Sequence, residues 1–248
     1  MSRFIVKPNL PEGEVSALVC GRLNGELTDY FRRRNIELIF TNENGAGDKA
    51  VSTHADLSVL YLGQGRIIAD RGQPELTERL NSLGLNVTES RKRVEGAYPD
   101  DCILNHTIAG KYIIGNSKIF DLSVKALTEN LEIIPVNQGY CKCSVLVVDE
   151  GSLITDDESI ARNAAEKGLD CLLIDKGDIF LEGHGYGFIG GASGKLSREE
   201  VVFFGNITQH RDYGRMKAFL DKRSIRIISF DFPLTDFGGI IPLKENIF

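Results

Sequence analysis

The sequence predicts an α/β fold in which strand–strand–helix–strand units repeat along the chain and close into a ring. The first observation is a pair of tandem segments, residues 105–136 and 139–175, with the same order of apolar strands, turns and amphipathic helix. The second is that residues 56–88 and 186–230 repeat this order. A unit of this kind cannot bury its own apolar faces, so repeated units are expected to pack side by side.

The third observation concerns the two ends of the chain. Residues 15–40 predict a strand, a helix and a strand, which is a unit without its first strand. Residues 236–243 predict one lone strand, which supplies the missing part. We therefore expect both termini to complete one shared unit, so that five units close without an open sheet edge. We also expect residues 1–248 to form a single domain.

Turn and capping residues mark the elements of the first full unit. Residues 56–62 and 66–69 are predicted strands, separated by a short turn with two glycines. Asp70 is expected to cap the following helix, Pro74 fits its first turn, and Gly84 is typical of its end. The unit therefore contains the complete order of strand, strand, helix and strand.

The boundaries in the second and third units are predicted from shorter signals. Residues 108–114 are expected to form one strand, a turn follows at Gly115, and residues 118–120 are expected to form the next strand. In the third unit, Asp156 is expected to cap a helix over residues 158–167. These assignments complete the strand–strand–helix–strand order in both units.

A glycine-rich stretch opens the fourth unit. Residues 187–192 are predicted as its first strand, residues 193–195 as a turn and residues 200–204 as its second strand. The stretch satisfies the glycine pattern of dinucleotide sites, but a second strand follows it where such a site requires a helix. The P-loop pattern is not satisfied either, so the sequence predicts no cofactor.

Composition excludes several classes of protein. The chain has 248 residues, of which 42% are hydrophobic and 26% charged, and this is typical of a folded protein with a sizeable core. The net charge of −6 does not favour a nucleic-acid surface, and no apolar run is long enough to span a membrane. The five cysteines are irregularly spaced and no signal peptide is expected, so we expect free thiols in the cytoplasm. These features do not predict the oligomeric state.

Five units of this kind resemble the pentein fold, also called the α/β propeller. Residues 183–194 and 137–141 also resemble a bacterial group of unknown function within this fold. The superfamily includes guanidino-modifying enzymes (arginine and agmatine deiminases, dimethylarginine hydrolases, amidinotransferases) and a non-enzymatic ribosome anti-association factor. The resemblance implies a pseudo-fivefold propeller in which the starts of the five first strands form a central substrate pocket. In the enzymes a cysteine thiolate attacks the guanidinium carbon, a histidine transfers protons and carboxylates hold the cation.

The first two strand starts supply candidate binding residues. Asp56 matches the first carboxylate with which the family binds the guanidinium group, and His54 precedes it. The alternative is that Asp56 caps backbone groups at the end of a loop. At the second strand start, Asn105 and His106 stand where many members of the family have an acidic residue. His106 is expected either to act as an acid or base near neutral pH or to be a satisfied histidine at a strand end.

The third and fourth strand starts depart from the enzyme pattern. Tyr140 stands where the enzymes have the catalytic histidine, and Cys141 and Cys143 follow it on one face of a strand. Two cysteines are too few for a zinc site, so we expect no metal; they are either core thiols or a displaced nucleophile. Tyr140 is expected to contact the ligand, as are His184 and Phe188 in the glycine-rich stretch, with a plain loop position as the alternative for His184.

The fifth strand start gives the most informative departure. Asp236 remains as a second carboxylate for the central pocket, but Pro242 stands where the enzymes have the catalytic cysteine. Proline carries no nucleophile. Because Tyr140 also replaces the histidine, the Cys–His pair of the family is expected to be missing.

Two functional hypotheses fit these residues. The first is a small-molecule-binding protein whose central acidic pocket takes a guanidino or other cationic, amino-acid-like ligand. The alternative is a divergent guanidino-modifying hydrolase or amidinotransferase with Cys141 or Cys143 as nucleophile, His106 or His54 as base, and the carboxylates as substrate clamps. A third class, a module that binds a ribosome or protein partner, is disfavoured for RNA surfaces by the acidic balance. The expected partner is thus a small molecule, without nucleic acid or membrane.

Overall fold

A computed structural model describes residues 2–247 of the chain. The strands are, in chain order, β1 (Ser2–Phe4), β2 (Glu14–Cys20), β3 (Glu37–Phe40), β4 (Gly45–Ala46), β5 (Val59–Gly63), β6 (Arg66–Ala69), β7 (Asn86–Glu89), β8 (Glu95–Gly96), β9 (Thr107–Ala109), β10 (Tyr112–Gly115), β11 (Glu132–Pro135), β12 (Val145–Asp149), β13 (Ser152–Thr155), β14 (Asp170–Leu173), β15 (Ser193–Ser197), β16 (Glu200–Phe203), β17 (Arg226–Ile228) and β18 (Ile240–Asn246). The helices are α1 (Gly25–Arg33), α2 (Ala55–Ser58), α3 (Pro74–Ser82), α4 (Leu122–Leu127), α5 (Glu158–Glu166) and α6 (Tyr213–Asp221).

Four three-stranded sheets share one topology. In each, the first two strands form an antiparallel hairpin and a helix leads to a third strand that pairs parallel to the second. A hairpin needs only a short turn, whereas a parallel pair needs a crossover connection, which explains why the helix always follows the second strand. The sheets are β5-β6-β7, β9-β10-β11, β12-β13-β14 and β15-β16-β17, as the repeat pattern predicts.

The two ends of the chain meet in a fifth sheet. Strand β18 pairs antiparallel with β2, with Ile240 opposite Cys20 and Ile241 opposite Val19, and β2 pairs parallel with β3. The amino-terminal strand β1 adds to the other edge of β18. The prediction that the last strand completes the first unit is therefore confirmed at the level of strand pairing.

The hairpin of the second unit was predicted at the wrong place. Ala109 pairs with Tyr112 across a turn at Gly110, which has a positive φ of 56°, so residues 108–114 contain two strands rather than one. Residues 118–120 lie outside any strand. An apolar sequence on both sides of one glycine does not distinguish a continuous strand from a tight hairpin, because both strands are buried.

The first strand of the fourth unit begins where a turn was predicted. Strand β15 starts at Ser193, and residues 187–192 form a loop that packs on the chain around Cys143. A Cβ atom at Gly190 would lie 2.3 Å from the carbonyl oxygen of Lys142, so this glycine permits a close approach of two backbones. Close approach, rather than strand pairing, explains the glycines of this stretch.

Three further local predictions were wrong by a few residues. The strand expected over residues 56–62 begins only at Val59, because α2 precedes it. Asp157 rather than Asp156 caps α5, with its Oδ1 accepting from the Ile160 N–H at 2.9 Å. Asp70 does not cap α3; its Oδ1 accepts from the N–H groups of Gly72 and Val94.

Apolar packing joins the terminal sheet to its neighbours. The largest core cluster contains Val19 and Ile241 of the terminal sheet, Val59 of β5 and Leu196 of β15. Burial of such side chains is the main stabilising contribution to the fold, at about 1.5–3 kcal/mol each. Among residues 2–247, no helix is both long and apolar enough to cross a membrane.

Candidate functional site

A cavity of about 280 Å³ lies where several strand starts approach one another. Its walls come from α2 and from the segments that precede β12, β15 and β18. Three surface grooves have larger volumes, about 570, 530 and 370 Å³, but none of them contains a predicted site residue. Six of the predicted site residues line the cavity: His54, Tyr140, Cys143, His184, Phe188 and Asp236.

Asp236 is held rigidly at the cavity wall. Its Oδ2 accepts from the Phe188 N–H and its Oδ1 from the Gly238 N–H, both at 2.9 Å. A Cβ atom at Gly191 would lie 2.0 Å from Oδ1, so the glycine-rich loop closes directly over the carboxylate. The carboxylate is thus fixed in place and keeps acceptor capacity for a ligand.

His54 is the buried histidine nearest to Asp236. Its Nδ1 lies 3.8 Å from Asp236 Oδ1, and the residue is only 4% exposed. It occupies the N-cap position of α2, where its side chain makes no capping hydrogen bond. Gly238, with a φ of 79°, packs against the His54 side chain. The histidine and the carboxylate therefore lie close together at the cavity, at a distance too long for a direct hydrogen bond.

Asp56 is fully buried, is close enough to His54 and Asp236 to interact with them electrostatically, and does not itself line the cavity. Neither of its carboxylate oxygens has a hydrogen-bond partner, so the alternative that it caps backbone groups is wrong. Burial is the main cause that raises the pKa of Asp56 to about 6; Asp236 raises it further, whereas His54 and Lys142 lower it. An unpartnered buried carboxyl costs free energy unless something supplies donors, and a ligand is one source of them.

Asn105 connects Asp56 to the third strand start through a single amide. Its Nδ2 donates to the Asp56 carbonyl at 3.1 Å and to the Cys143 sulfur at 3.0 Å. Its Oδ1 accepts from the N–H groups of Lys142 and Cys143 at 2.7 and 3.3 Å. Because these partners satisfy the amide, Asn105 positions Cys143 and Asp56 rather than facing the cavity itself.

The two candidate nucleophiles differ in where they point. Cys143 lines the cavity, whereas Cys141 is fully buried and its thiol donates to the Gln138 carbonyl at 3.1 Å. Burial raises the pKa of both thiols, and for Cys143 the neighbouring Asp56 and Asp236 raise it further. Cys143 is beside Asp56, but no hydrogen bond of normal geometry joins the two side chains. Both environments favour the neutral thiol over the thiolate.

We expect iodoacetamide to modify Cys171 before Cys143 and Cys141. Cys171 is the most exposed of the five cysteines, and burial raises its pKa only to about 11. Both other thiols should react more slowly than a free model thiol near neutral pH, because they are buried and protonated. Mass spectrometry of tryptic peptides over a time course measures the order. Rapid modification of Cys143 in the folded protein would contradict this assignment and favour a nucleophile.

His106 does not reach the cavity. Its Nε2 donates to the Ile103 carbonyl at 3.0 Å, and its ring packs against Phe120 at an angle of 38°, with centroids 4.1 Å apart. The Nδ1 atom has no partner, and burial lowers the pKa of His106 to about 4. A neutral, fully buried imidazole in this position fits the alternative of a strand-end histidine.

Aromatic rings form the outer wall of the cavity. Tyr140 and Phe188 stack at 6.4 Å between centroids, and Tyr186 meets Phe188 edge-on at 5.9 Å. The Tyr140 hydroxyl donates to Asp101 at 2.6 Å, and burial together with this carboxylate raises the pKa of Tyr140. Rings of this kind provide faces on which a flat cation can stack.

An exposed pair closes the mouth. His184 Nε2 lies 2.5 Å from Asp48 Oδ2, which joins the glycine-rich loop to the loop that precedes α2. Both side chains are about two-fifths exposed, so solvent reaches the pair. The sequence suggested His184 but gave no reason to select Asp48, since the contact spans 136 residues.

Lys142 is the residue that sequence reasoning missed. It is only 7% exposed, and its ammonium group makes no hydrogen bond or ion pair with residues 2–247. Burial lowers the pKa of Lys142, while Asp56, Cys143 and Asp236 act in the opposite direction. The available signal was a charged residue between two cysteines at a predicted buried strand. In the same described range, no group of three or more His, Cys, Asp or Glu side chains could hold a metal ion.

Solved structures of guanidino-modifying enzymes share this architecture. An amidinotransferase of the saxitoxin biosynthetic pathway from Microseira wollei aligns with a TM-score of 0.62 at 11% identity, covering 98% of each chain. The inosamine-phosphate amidinotransferase of Streptomyces griseus gives 0.62 at 10% identity, covering 99% of this chain and 98% of that one. Agmatine deiminase from C. jejuni gives 0.55 at 12% identity, covering 93% and 91%. The chain therefore has the mixed α/β fold of the pentein superfamily.

Sequence comparisons give a separate result. No curated protein sequence matches the chain. A family model described as a family of unknown function, DUF6873, matches residues 18–241, and the chain belongs to that family.

Proposed function

We propose that this protein binds a small molecule with a guanidino or other cationic, amino-acid-like group in the cavity beside Asp56 and Asp236. The observation that carries the proposal is the Asp56 carboxyl, fully buried and without a partner on either oxygen. A guanidinium or ammonium group supplies several N–H donors to carboxylates, and charge-assisted hydrogen bonds of this kind are about twice as strong as neutral ones.

The neighbours of Asp56 support a flat, cationic ligand. Asp236 adds a second carboxylate held by two backbone N–H groups. The rings of Tyr140 and Phe188 offer stacking faces, and a volume of about 280 Å³ is near the lower end of the range for small-molecule sites. Asp56 does not line the cavity, although the next residue, Leu57, does, so a ligand must displace part of the cavity wall to reach the carboxyl.

The fold comparisons support the same class of ligand. The related structures are amidinotransferases and an agmatine deiminase, and DDAH from Pseudomonas aeruginosa, with 10% identity and a TM-score of 0.54, is complexed with citrulline. Likeness of fold is a weak warrant for function, so the residues of the cavity carry the argument. We further propose that the four three-stranded sheets and the terminal sheet close as a pseudo-fivefold propeller in one domain.

One observation favours a second candidate, a divergent guanidino-modifying hydrolase or amidinotransferase. Cys143 lines the cavity next to Asp56, and His54 is the nearby base. Against this candidate, burial and the two carboxylates raise the pKa of Cys143, so a cationic ligand would first have to lower it. Binding without turnover is therefore the better supported function.

Calorimetry with arginine and agmatine tests the proposal at pH 5 and pH 8. Affinity of the wild type should rise about ten-fold or more between these values, because the pKa of Asp56 is about 6 and the carboxylate binds cations only when ionised. Asp56→Asn should lose this gain and most of the affinity.

A matched control separates charge recognition from damage to the fold. Asp70 is also fully buried with a raised pKa, but its Oδ1 accepts two backbone hydrogen bonds, and the charged groups that influence it are Arg93 and Glu95 rather than residues of the cavity. Asp70→Asn should leave binding unchanged. Equal responses of wild type and Asp56→Asn to every cation that binds would refute the proposal.

A further inference from the structure

The groove of about 570 Å³ lies at the ends of β12 and β15 that point away from the cavity. Cys143 precedes β12 and Phe188 precedes β15, and both line the cavity. Asp149 ends β12 and Arg198 follows β15, and both line the groove. Each strand has five residues, which span about 15 Å. The groove is therefore separate from the cavity.

The acidic side chains of this groove are already paired with basic ones. The pairs are Glu12 with Arg3, Asp149 with Arg223, and Glu150 with Lys7, at N–O distances of 2.6, 3.0 and 2.5 Å. Two further basic residues, Lys195 and Arg198, line the groove and make no ion pair with any residue from 2 to 247. The groove therefore has two positive charges that no ion pair neutralises.

Lys195 is held at the groove with one donor left over. The residue is 5% exposed, and its Nζ donates to the carbonyls of Val148 and Arg198 at 3.0 and 2.7 Å. An ammonium group has three N–H donors, and the third has no partner in the described part of the chain. A buried donor without a partner costs free energy, which an acceptor on a ligand would offset.

Arg198 supplies a free guanidinium group near this ammonium. The residue is exposed, and its guanidinium makes no hydrogen bond with residues 2–247. Burial lowers the pKa of Lys195 to about 8; Asp149 acts in the opposite direction, and Arg198 is close enough to lower it further. Two like charges at this range repel each other, and an anion bound to both would remove the repulsion.

We propose that this groove is a second binding site, which takes a small molecule through an oxyanion group, a phosphate or a carboxylate, bound by Lys195 and Arg198. The guanidinium fork matches two oxygens of such a group, and the ammonium adds a third charged donor. The volume of about 570 Å³ is within the range of small-molecule sites, so the ligand extends beyond its anionic group. This site is independent of the function proposed for the cavity.

Calorimetric titration with sulfate, inorganic phosphate and citrate tests the proposal, with sodium chloride keeping the ionic strength constant. We expect the wild type to bind sulfate and phosphate with dissociation constants of about 1 mM or below. Tighter binding of phosphate than of citrate would indicate a phosphorylated ligand, and the reverse order a polycarboxylate.

Arg198→Ala should weaken the binding of all three anions by about five-fold or more, because it removes one of the two free charges. Arg198 is exposed, so this variant should fold normally. Arg32→Ala is the matched control: Arg32 is also exposed and without an ion pair among residues 2–247, but it does not line the groove. Its affinities should equal those of the wild type.

Proton uptake distinguishes a ligand contact of Lys195 from a purely structural role. Because the pKa of Lys195 is about 8 and a bound anion raises it, the wild type should take up about 0.5 proton per sulfate bound at pH 8.5. Sulfate does not titrate at this pH. Lys195→Arg keeps the charge but stays ionised, so it should bind sulfate without proton uptake. If this variant fails to fold, proton uptake by the wild type and the loss of affinity in Arg198→Ala decide the question.

Three results would each overturn the proposal. They are failure of the wild type to bind any of the three anions, equal affinities of Arg198→Ala and the wild type, and binding by the wild type at pH 8.5 without proton uptake. In each case Lys195 would serve only to join β12 to the turn that follows β15. None of these results bears on the binding of a cation in the cavity.

Discussion

Asp56→Asn is expected to stabilise the protein above pH 6 while it removes ligand binding. The pKa of Asp56 is raised from 3.8 to about 6 by burial, a difference of about two pKa units. Keeping this group ionised in the folded state therefore costs about 3 kcal/mol at pH 8. Asparagine resembles the protonated carboxyl and avoids that cost. Chemical denaturation at pH 8 should show the gain in unfolding free energy, and the melting temperature should rise by about 5–10 °C.

The direction of the predicted change in unfolding free energy follows from the ionisation of Asp56. Between pH 4 and pH 6 the folded state of the wild type holds the Asp56 proton more tightly than the unfolded state does. The contribution of Asp56 to the free energy of unfolding therefore falls as pH rises from 4 to 6 and stays low above pH 6. At pH 4 and below, Asp56→Asn should differ little from the wild type. A stabilised variant without function would be an example of stability given up at a binding site.

Asp121→Asn is expected to change the stability in the opposite direction to Asp56→Asn. The Asp121 carboxylate caps α4 and accepts from the N–H groups of Arg91, Lys92 and Ser123, and these hydrogen bonds lower its pKa. Its replacement should destabilise the protein by about 1–2 kcal/mol. If Asp56→Asn is destabilising to the same extent at pH 8, the carboxyl has partners in solution that the structure does not show.

Gly190→Ala is expected to destabilise the protein by about 3 kcal/mol or more. A Cβ atom at this position would lie 2.3, 2.4 and 2.7 Å from the carbonyl oxygens of Lys142, Val145 and Cys143. These are backbone atoms, so no side chain can rotate away to relieve the overlap. The variant should also lose ligand binding, because the three carbonyls belong to the segment that places Cys143 at the cavity. Denaturant titration together with calorimetry measures both effects.

Gly185→Ala is the control within the same glycine-rich stretch. A Cβ atom at Gly185 would meet no heavy atom within 4 Å, and its φ is not positive. The substitution should therefore change the unfolding free energy by less than about 1 kcal/mol. Equal effects of the two alanine substitutions would show that the loop does not pack on residues 142–145 as described.

The repeat pattern predicted most of the strand pairing. The order of strands and helices within a unit follows from local sequence signals, and the number of strands at the two ends of the chain shows which unit is incomplete. The first unit lacks its first strand, and the chain ends in a lone strand. Pairing of β18 with β2 is the simplest arrangement that completes the unit. Boundaries were wrong where local sequence does not determine them. The hairpin at Gly110 lies within an uninterrupted apolar run, and the start of β15 depends on the contact of Gly190 with Lys142, which is distant in sequence.

The sequence could place a residue at the cavity only where its position within the repeated unit determined its position in the fold. Asp236 and His54 precede strands or helices at the cavity, and six predicted residues line it. Cys141 and Cys143 could not be distinguished from sequence, since the loop that precedes β12 replaces the predicted strand alternation. Lys142 was missed because only three-dimensional contacts reveal that this charged side chain is buried without a partner among residues 2–247.

Proton release on ligand binding tests the central claim that the Asp56 carboxylate receives the cation. Calorimetric titration of arginine at pH 5.5, in two buffers with different ionisation enthalpies, measures the number of protons released per ligand bound. Because the pKa of Asp56 is about 6 and a bound cation lowers it, the wild type should release about 0.5–0.8 proton, and Asp56→Asn should release none. Binding without proton release in the wild type, or equal release by the variant, would contradict the account.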